Sequence, residues 1–288
     1  MPYRTVNGLR MYYQLQGSGP AVILLHGLGS CAEDWWLQLP VLSERYRVLA
    51  PDLRGHGRTD KPPRPYTVPQ MAEDVVRLMG ALDIDQAHVV GLSLGGLVAQ
   101  ALATGYETRV RSLVLVNTFA RLRVGGPAGW WRLLRRGLVL IVGGVGRQAE
   151  LVAQAMFPHR GQEAVRRAAV ERLRANDPSA YRAAMLAALR FKGWDRLPSI
   201  RAPTLVVAGA EDTTVDLVAK EELAAGIPGA RLEMIPGSGH ATPIDRPAHF
   251  NWLLLQFLRE VESSTCSRNP LLEHPSPPGR VGPPGDAG

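Results

Sequence analysis

Short, continuous apolar runs alternate with amphipathic segments along most of this chain, and that rhythm restricts the possible fold more than any other feature. Residues 21–25 read AVILL, and residues 46–50, 87–92 and 110–116 have the same character. Runs this short, without polar alternation, suit strands buried on both faces. Between them, residues 71–82 and 94–104 carry helical spacing. Such alternation predicts a parallel sheet covered by helices on both sides. Ahead of the first run, Asn7-Gly8 marks a tight hairpin between two short strands within residues 3–15.

Residues 120–200 break the rhythm. They contain no strand-like run, and segments 130–140, 148–157, 163–175 and 179–191 have amphipathic helical spacing. Asp177-Pro178 separates the last two and offers an N-cap. The alternation then resumes with a strand at 204–208, a helix at 217–225, a strand at 231–235 and a long helix at 248–261. Segment 120–200 is therefore expected to be an all-helical insertion between two strands of one sheet. The α/β core would comprise residues 1–119 and 201–262. Residues 263–288 hold six Pro and four Gly without periodicity. They are expected to be a disordered tail, because such a segment buries too little to offset its ordering entropy.

Composition narrows the class further. Hydrophobic residues are 45% and charged residues 20%, which excludes wholesale disorder. Two cysteines, Cys31 and Cys266, exclude a disulfide-stapled scaffold. The first residues lack the apolar stretch of a secretory signal, and no run approaches a membrane span. A soluble, cytoplasmic protein is expected, as monomer or homodimer. The net charge of +7 is unevenly spread: residues 120–200 hold 15 basic against 5 acidic side chains. Solvated helix faces explain this best. No recognition motif accompanies the charge, so no nucleic-acid partner is expected. The stretch Trp130-Trp131-Arg132-Leu133-Leu134-Arg135-Arg136 has interfacial character. Membrane contact is nonetheless disfavoured, because an inserted amphipathic helix must turn its apolar stripe inward.

The chemistry-bearing residues lie where strands end. Gly91-Leu92-Ser93-Leu94-Gly95 follows an apolar strand and opens a helix. That context forces Ser93 into a sharp turn, with its hydroxyl clear of the sheet and the helix N-terminus beside it. Serine needs a base to become a nucleophile. Among the histidines, His240 sits in a loop just after strand 231–235, at the edge where α/β sheets gather functional loops. His26 and His56 lie near the same edge, whereas His88 starts the Ser93 strand at the other end. The base needs a carboxylate. Asp212, three residues beyond the turn glycine Gly209, is favoured over Glu211. The resulting order is Ser93, Asp212, His240.

With these residues the chain resembles the α/β-hydrolase fold family over about residues 1–262, and the resemblance implies a mostly parallel eight-stranded sheet with the helical insertion 120–200 as its cap. Leu25-His26-Gly27-Leu28-Gly29 resembles the family's oxyanion loop, and residues 52–59 (DLRGHGRT) its D-x-R-G-x-G-x-S loop, with Thr59 replacing serine. The resemblance implies that the N–H groups of Leu28 and Leu94 form the oxyanion hole. His26 and Gly27 would support that loop, and Asp52 and Arg54 would pin the next one by ion pairing. Ser93 rather than aspartate at the elbow excludes haloalkane dehalogenases and epoxide hydrolases, and the HGGG and HGGPG loops of other branches are absent. Asn117 and Thr118 follow strand 110–116, so no displaced acid stands there. No metal-ligand spacing occurs, and no metal or cofactor is expected.

The expected function is hydrolysis of small-molecule carboxylic esters or lactones through an acyl-enzyme on Ser93, with Phe119, Trp130 and Trp131 beside a lipophilic pocket. The same triad also serves carbon–carbon bond hydrolases, perhydrolases, acyltransferases and slow-turnover signalling receptors.

Overall fold

A computed structural model describes residues 2–63, 65–121 and 144–266. Eight strands form one sheet: β1 (Tyr3–Val6), β2 (Leu9–Gln16), β3 (Ala21–Leu25), β4 (Arg47–Pro51), β5 (Ala87–Leu92), β6 (Val110–Val116), β7 (Thr204–Gly209) and β8 (Arg231–Ile235). Their spatial order is β1-β2-β4-β3-β5-β6-β7-β8. The hairpin β1–β2 and the β2–β4 pair are antiparallel; all other pairs are parallel. Asn7 and Gly8 both have positive φ, as the hairpin turn requires. The fold is the expected α/β class.

Side chains alternate between two cores. Ile23, Leu25, Val89, Leu113 and Leu115 face helices α2 (Val68–Ala81) and α3 (Leu94–Gly105). Val22, Leu24, Val90, Val114 and Val116 face α1 (Leu39–Ser43) and the C-terminal helix, represented by Phe250, Leu254 and Leu258. Both faces of the central strands are dry, which explains their uninterrupted apolar sequences. Helix α2 starts three residues earlier than its apolar spacing suggests: Thr67 caps it by accepting the Gln70 N–H, and a proline follows in its first turn.

Between β6 and β7 the chain forms α4 (Gly144–Met156), α5 (Glu163–Arg174) and α6 (Pro178–Arg190). Asp177 caps α6 through the N–H groups of Ser179 and Ala180. A single bridge, Arg121 to Lys192, closes the neck of this segment. The helix expected at 130–140, with Trp130 and Trp131, lies outside the described residues. After β7 come α7 (Leu217–Gly226), α8 (Thr242–Asp245) and α9 (Pro247–Cys266).

The expected tail boundary at residue 263 needs correction, because α9 continues through Cys266. Ser263 and Ser264 each donate a hydroxyl to the Glu260 carbonyl, and Glu262 accepts from Tyr46. These bonds hold a turn whose serines weaken the helical signal in the sequence. Residues 267–288 lie outside the described residues. Among the described residues, no helix is long and apolar enough to cross a membrane.

Strand order sets the position of the site. β3 has β4 on one side and β5 on the other, so the chain leaves β3 and β5 toward opposite directions. That switch point opens a crevice at the strand C-termini, between the loop after β3 and the turn after β5.

Candidate active site

Ser93 occupies the turn between β5 and α3 with φ 52° and ψ −112°, a strained conformation for a residue with a side chain. A Cβ on Gly91 would overlap the Gly95 carbonyl, and one on Gly95 would overlap the Leu25 carbonyl. The two glycines are thus demanded by backbone contact. The end of β6 anchors the turn: Ser93 N–H donates to Val116 O at 3.0 Å, and Thr118 Oγ1 donates to Ser93 O at 2.8 Å. Because α3 begins at Leu94, its free N–H groups and positive dipole end lie beside the Ser93 side chain.

His240 and Asp212 meet across two loops. His240 Nδ1 lies 3.0 Å from Asp212 Oδ2, and the Asp212 side chain is fully buried. Asp212 Oδ1 accepts the N–H groups of Thr214 and Val215 at 2.8 and 3.2 Å. Lys220 Nζ stands 2.8 Å from Oδ2. Burial alone would raise the Asp212 pKa, but the charges and hydrogen bonds of His240 and Lys220 outweigh it and hold it at about 2. Glu211 turns away toward His159, at 3.2 Å. Ser93 and His240 line the same cavity. Among the described residues no hydrogen bond joins their side chains; such bonds are often long until substrate is present.

The loop after β3 runs alongside. A Cβ on Gly27 would sit 3.7 Å from the Ser93 Cβ, and Gly27 and Leu28 both line the cavity. The N–H groups of Leu28 and Leu94 are free of the loop and turn hydrogen bonds of the described residues. His26 braces this loop: Nδ1 bonds Gly27 O at 2.8 Å, and Nε2 accepts the Leu53 N–H at 3.0 Å. His56 is fully buried, with Nδ1 on Arg54 O at 3.0 Å. It packs edge-on against His26 outside the cavity. The expected ion pairing of the 52–59 loop needs one correction. Arg54 forms a two-pronged, buried pair with Asp74, both contacts at 2.8 Å. Asp52 instead accepts the backbone N–H groups of Ala32 and Arg58, each at 2.7 Å. A buried carboxylate can be satisfied by N–H donors alone, and these two tie neighbouring loops together.

The buried histidines imply an acid limit to stability. Burial lowers the pKa of His26 to about 4 and that of His56 to about 3. Unfolded, both titrate near ~6.5. Between those values the unfolded chain binds more protons, so their contribution is complete above ~6.5 and is lost as pH falls toward 4 and 3. The melting temperature, followed by circular dichroism, is expected to be level above pH 7 and to fall steadily from pH 6.5 to pH 4. A level profile down to pH 4 would contradict this.

The helices between β6 and β7 roof a cavity of about 730 Å³ above Ser93. Trp35, Met156, Phe157 and Leu173 are among the apolar side chains that line it. Arg172 also faces it, held by Glu33 at 3.1 Å and Asp34 at 3.4 Å. Arg160, Arg167, Arg174, Arg182 and Arg190 are exposed, in keeping with solvated faces. Phe119 packs on the core beneath α3 and does not line the cavity.

Residues 20–247 match the family model described as the alpha/beta hydrolase fold. The chain belongs to the alpha/beta hydrolase fold family. A protein of Azorhizobium caulinodans provisionally named carbamate hydrolase RutD is 32% identical, covering 91% of this chain and 100% of the relative. A crystal structure of a hydrolase from Pseudomonas aeruginosa PA01 superposes with a TM-score of 0.80 at 35% identity, covering 89% of this chain and 97% of the other. The enol-lactonase of Burkholderia xenovorans LB400 gives a TM-score of 0.82 at 31% identity, with coverages of 90% and 100%. Family membership and these neighbours make the chain a hydrolase.

Within this hydrolase, three polar residues of the site had not been singled out as functional. Asn117 Oδ1 accepts the Gly209 N–H at 2.8 Å, while its Nδ2 donates to His240 O and Thr242 Oγ1, each at 2.8 Å. Asp245 accepts the Gly239 N–H at 2.6 Å and a bond from Gln162 of the roof. Lys220 lies on the buried stripe of α7 with Leu223, where helical periodicity calls for an apolar residue; that misplacement was its only signal.

Proposed function

We propose that this protein hydrolyses carboxylic esters or lactones of small molecules through an acyl-enzyme on Ser93. The observation that carries the reading is the 3.0 Å bond from His240 to a fully buried Asp212, behind a strained serine facing the same cavity. In this reading Asp212 fixes the imidazole tautomer with the proton on Nδ1, leaving Nε2 to take the Ser93 proton. Ser93 Oγ attacks the substrate carbonyl. The tetrahedral oxyanion is held by the N–H groups of Leu28 and Leu94, which need no reorganisation because loop and helix already orient them. The imidazolium gives its proton to the leaving alcohol. A water molecule, deprotonated by the same histidine, then releases the acid and restores Ser93.

Substrate class follows from the cavity walls. Trp35, Met156, Phe157 and Leu173 suit an apolar acyl or alcohol group. Each buried methylene contributes about 0.8 kcal/mol. Lengthening a p-nitrophenyl ester from acetate to hexanoate adds four methylenes, about 3 kcal/mol when all are buried, and is therefore expected to raise kcat/KM by up to roughly 200-fold. A carbamate remains a second reading, supported by the named RutD relative. The test is a panel of p-nitrophenyl esters, aliphatic lactones and an alkyl carbamate, with fluorophosphonate labelling read by peptide mass spectrometry. Labelling at Ser93 with ester or lactone turnover supports the reading. Absence of both would overturn it, and turnover confined to the carbamate would move the substrate class.

A further inference from the structure

The chain has three lysines against 30 arginines, and one of the three is buried beside the catalytic candidates. Lys220 is 1% exposed, with Nζ 2.8 Å from Asp212 Oδ2 and 3.5 Å from the Gly209 carbonyl. His240 Nδ1 binds the same Oδ2 at 3.0 Å. Asp212 therefore receives four donors: two N–H groups on Oδ1, and an imidazole and an ammonium on Oδ2. Its hydrogen-bonding capacity is filled. A compact ammonium fits this position, whereas a planar guanidinium would need more acceptors than one oxygen and one carbonyl supply.

We infer that Lys220 is a positioning residue of the site: its ammonium locks the Asp212 carboxylate toward His240 and weakens the pull of that carboxylate on the imidazolium. This rests on the reading of Ser93, Asp212 and His240 as a catalytic triad. The resting cluster carries one negative and one positive charge, so it is neutral when His240 is neutral. Protonation of His240 during the reaction adds a second cation. Both nitrogens bind one oxygen, at 2.8 and 3.0 Å, so the two cations stand within about 6 Å and repel one another.

The surrounding charges do not replace this effect. Asp216, which caps α7, is the other carboxylate acting on Lys220. Glu211 engages His159, and Asp245 is held by Gly239 N–H, Gln162 and the adjacent Arg246. On the cavity side Arg172 is paired with Glu33 and Asp34, and His26 is neutral through burial. Among the described residues, Lys220 is thus the cation in direct contact with the carboxylate that orients His240.

Lys220→Met and Lys220→Gln separate charge from hydrogen bonding, since glutamine keeps a donor for Asp212 and should fold even where methionine does not. In both, the acid limb of kcat/KM is expected to move up by about one pH unit or more, with the alkaline plateau within ~10-fold of wild type. The imidazole proton of His240, assigned by its loss in His240→Ala, should show the same displacement by NMR. A lower melting temperature with an unmoved limb and NMR midpoint would make Lys220 merely structural and overturn the inference. A shift in Lys220→Met absent from Lys220→Gln would assign the effect to the hydrogen bond and overturn the charge argument. The NMR readout needs no turnover, so a chain that hydrolyses nothing and takes no fluorophosphonate would sink the triad reading while still reporting on Lys220.

Discussion

Ser93→Ala is expected to lower kcat/KM for a p-nitrophenyl ester by ~10⁴-fold or more, leaving the folded state intact. The substitution removes one oxygen at a turn held by backbone bonds to Val116 and from Gly96, none of which uses the hydroxyl. Residual rate would come from the oxyanion N–H groups and substrate binding alone. The strained φ of 52° persists, so stability should change little. His240→Ala should fall nearly as far, because without a base the hydroxyl stays protonated at neutral pH. His56 cannot substitute. It is fully buried, its Nδ1 is bonded to the Arg54 carbonyl, and burial pushes its pKa to about 3. Steady-state kinetics with melting curves check this pair. A His240→Ala variant of wild-type activity would show that another group acts as base.

Asn117→Leu is expected to damage both stability and catalysis. Its side chain is buried at the end of β6 and satisfies groups from two loops at once: the Gly209 N–H of the acid loop and the His240 carbonyl of the base loop. Leucine fills the volume but leaves these groups and the Thr242 hydroxyl without that partner. Each abandoned buried group costs about 1–3 kcal/mol, so a total of roughly 3–5 kcal/mol is reasonable. Leucine also tolerates the positive φ of 43° less well than asparagine. A fall in melting temperature of roughly 10 °C should follow. Catalysis should drop by ~10²-fold, because His240 and Asp212 lose their common reference point. Calorimetry and kcat/KM on the same ester give the answer; a melting point within ~2 °C of wild type would refute the shared-clamp role.

Legibility differed by residue according to how local its cause is. The buried strands were plain because burial on both faces demands unbroken apolar sequence, as in residues 21–25. The elbow was plain because a strand-to-helix turn of this tightness tolerates only small residues at Gly91 and Gly95. Helix α8 and the last turn of α9 were not, since four residues carry no period and serines blur one. The resemblance points Asp52 to an ion pair, and the backbone N–H groups that satisfy it instead leave no mark in the sequence.

What the sequence determined by itself is the set of local commitments: eight strand segments, the helices between them, a serine forced into a turn, and an acid and a histidine each placed just past a strand. Tertiary structure alone decided which distant groups share an atom. Asp212 and His240 are 28 residues apart, Asn117 and His240 123, and Arg54 and Asp74 20, yet each pair is in hydrogen-bond contact. Strand order brings the loops together, and periodicity within a segment carries no record of that order. Lys220 is the clearest instance. A lysine on an apolar stripe looks misplaced until β7 and α7 pack, whereupon the low dielectric of their interface makes a charge partner obligatory and Asp212 supplies it.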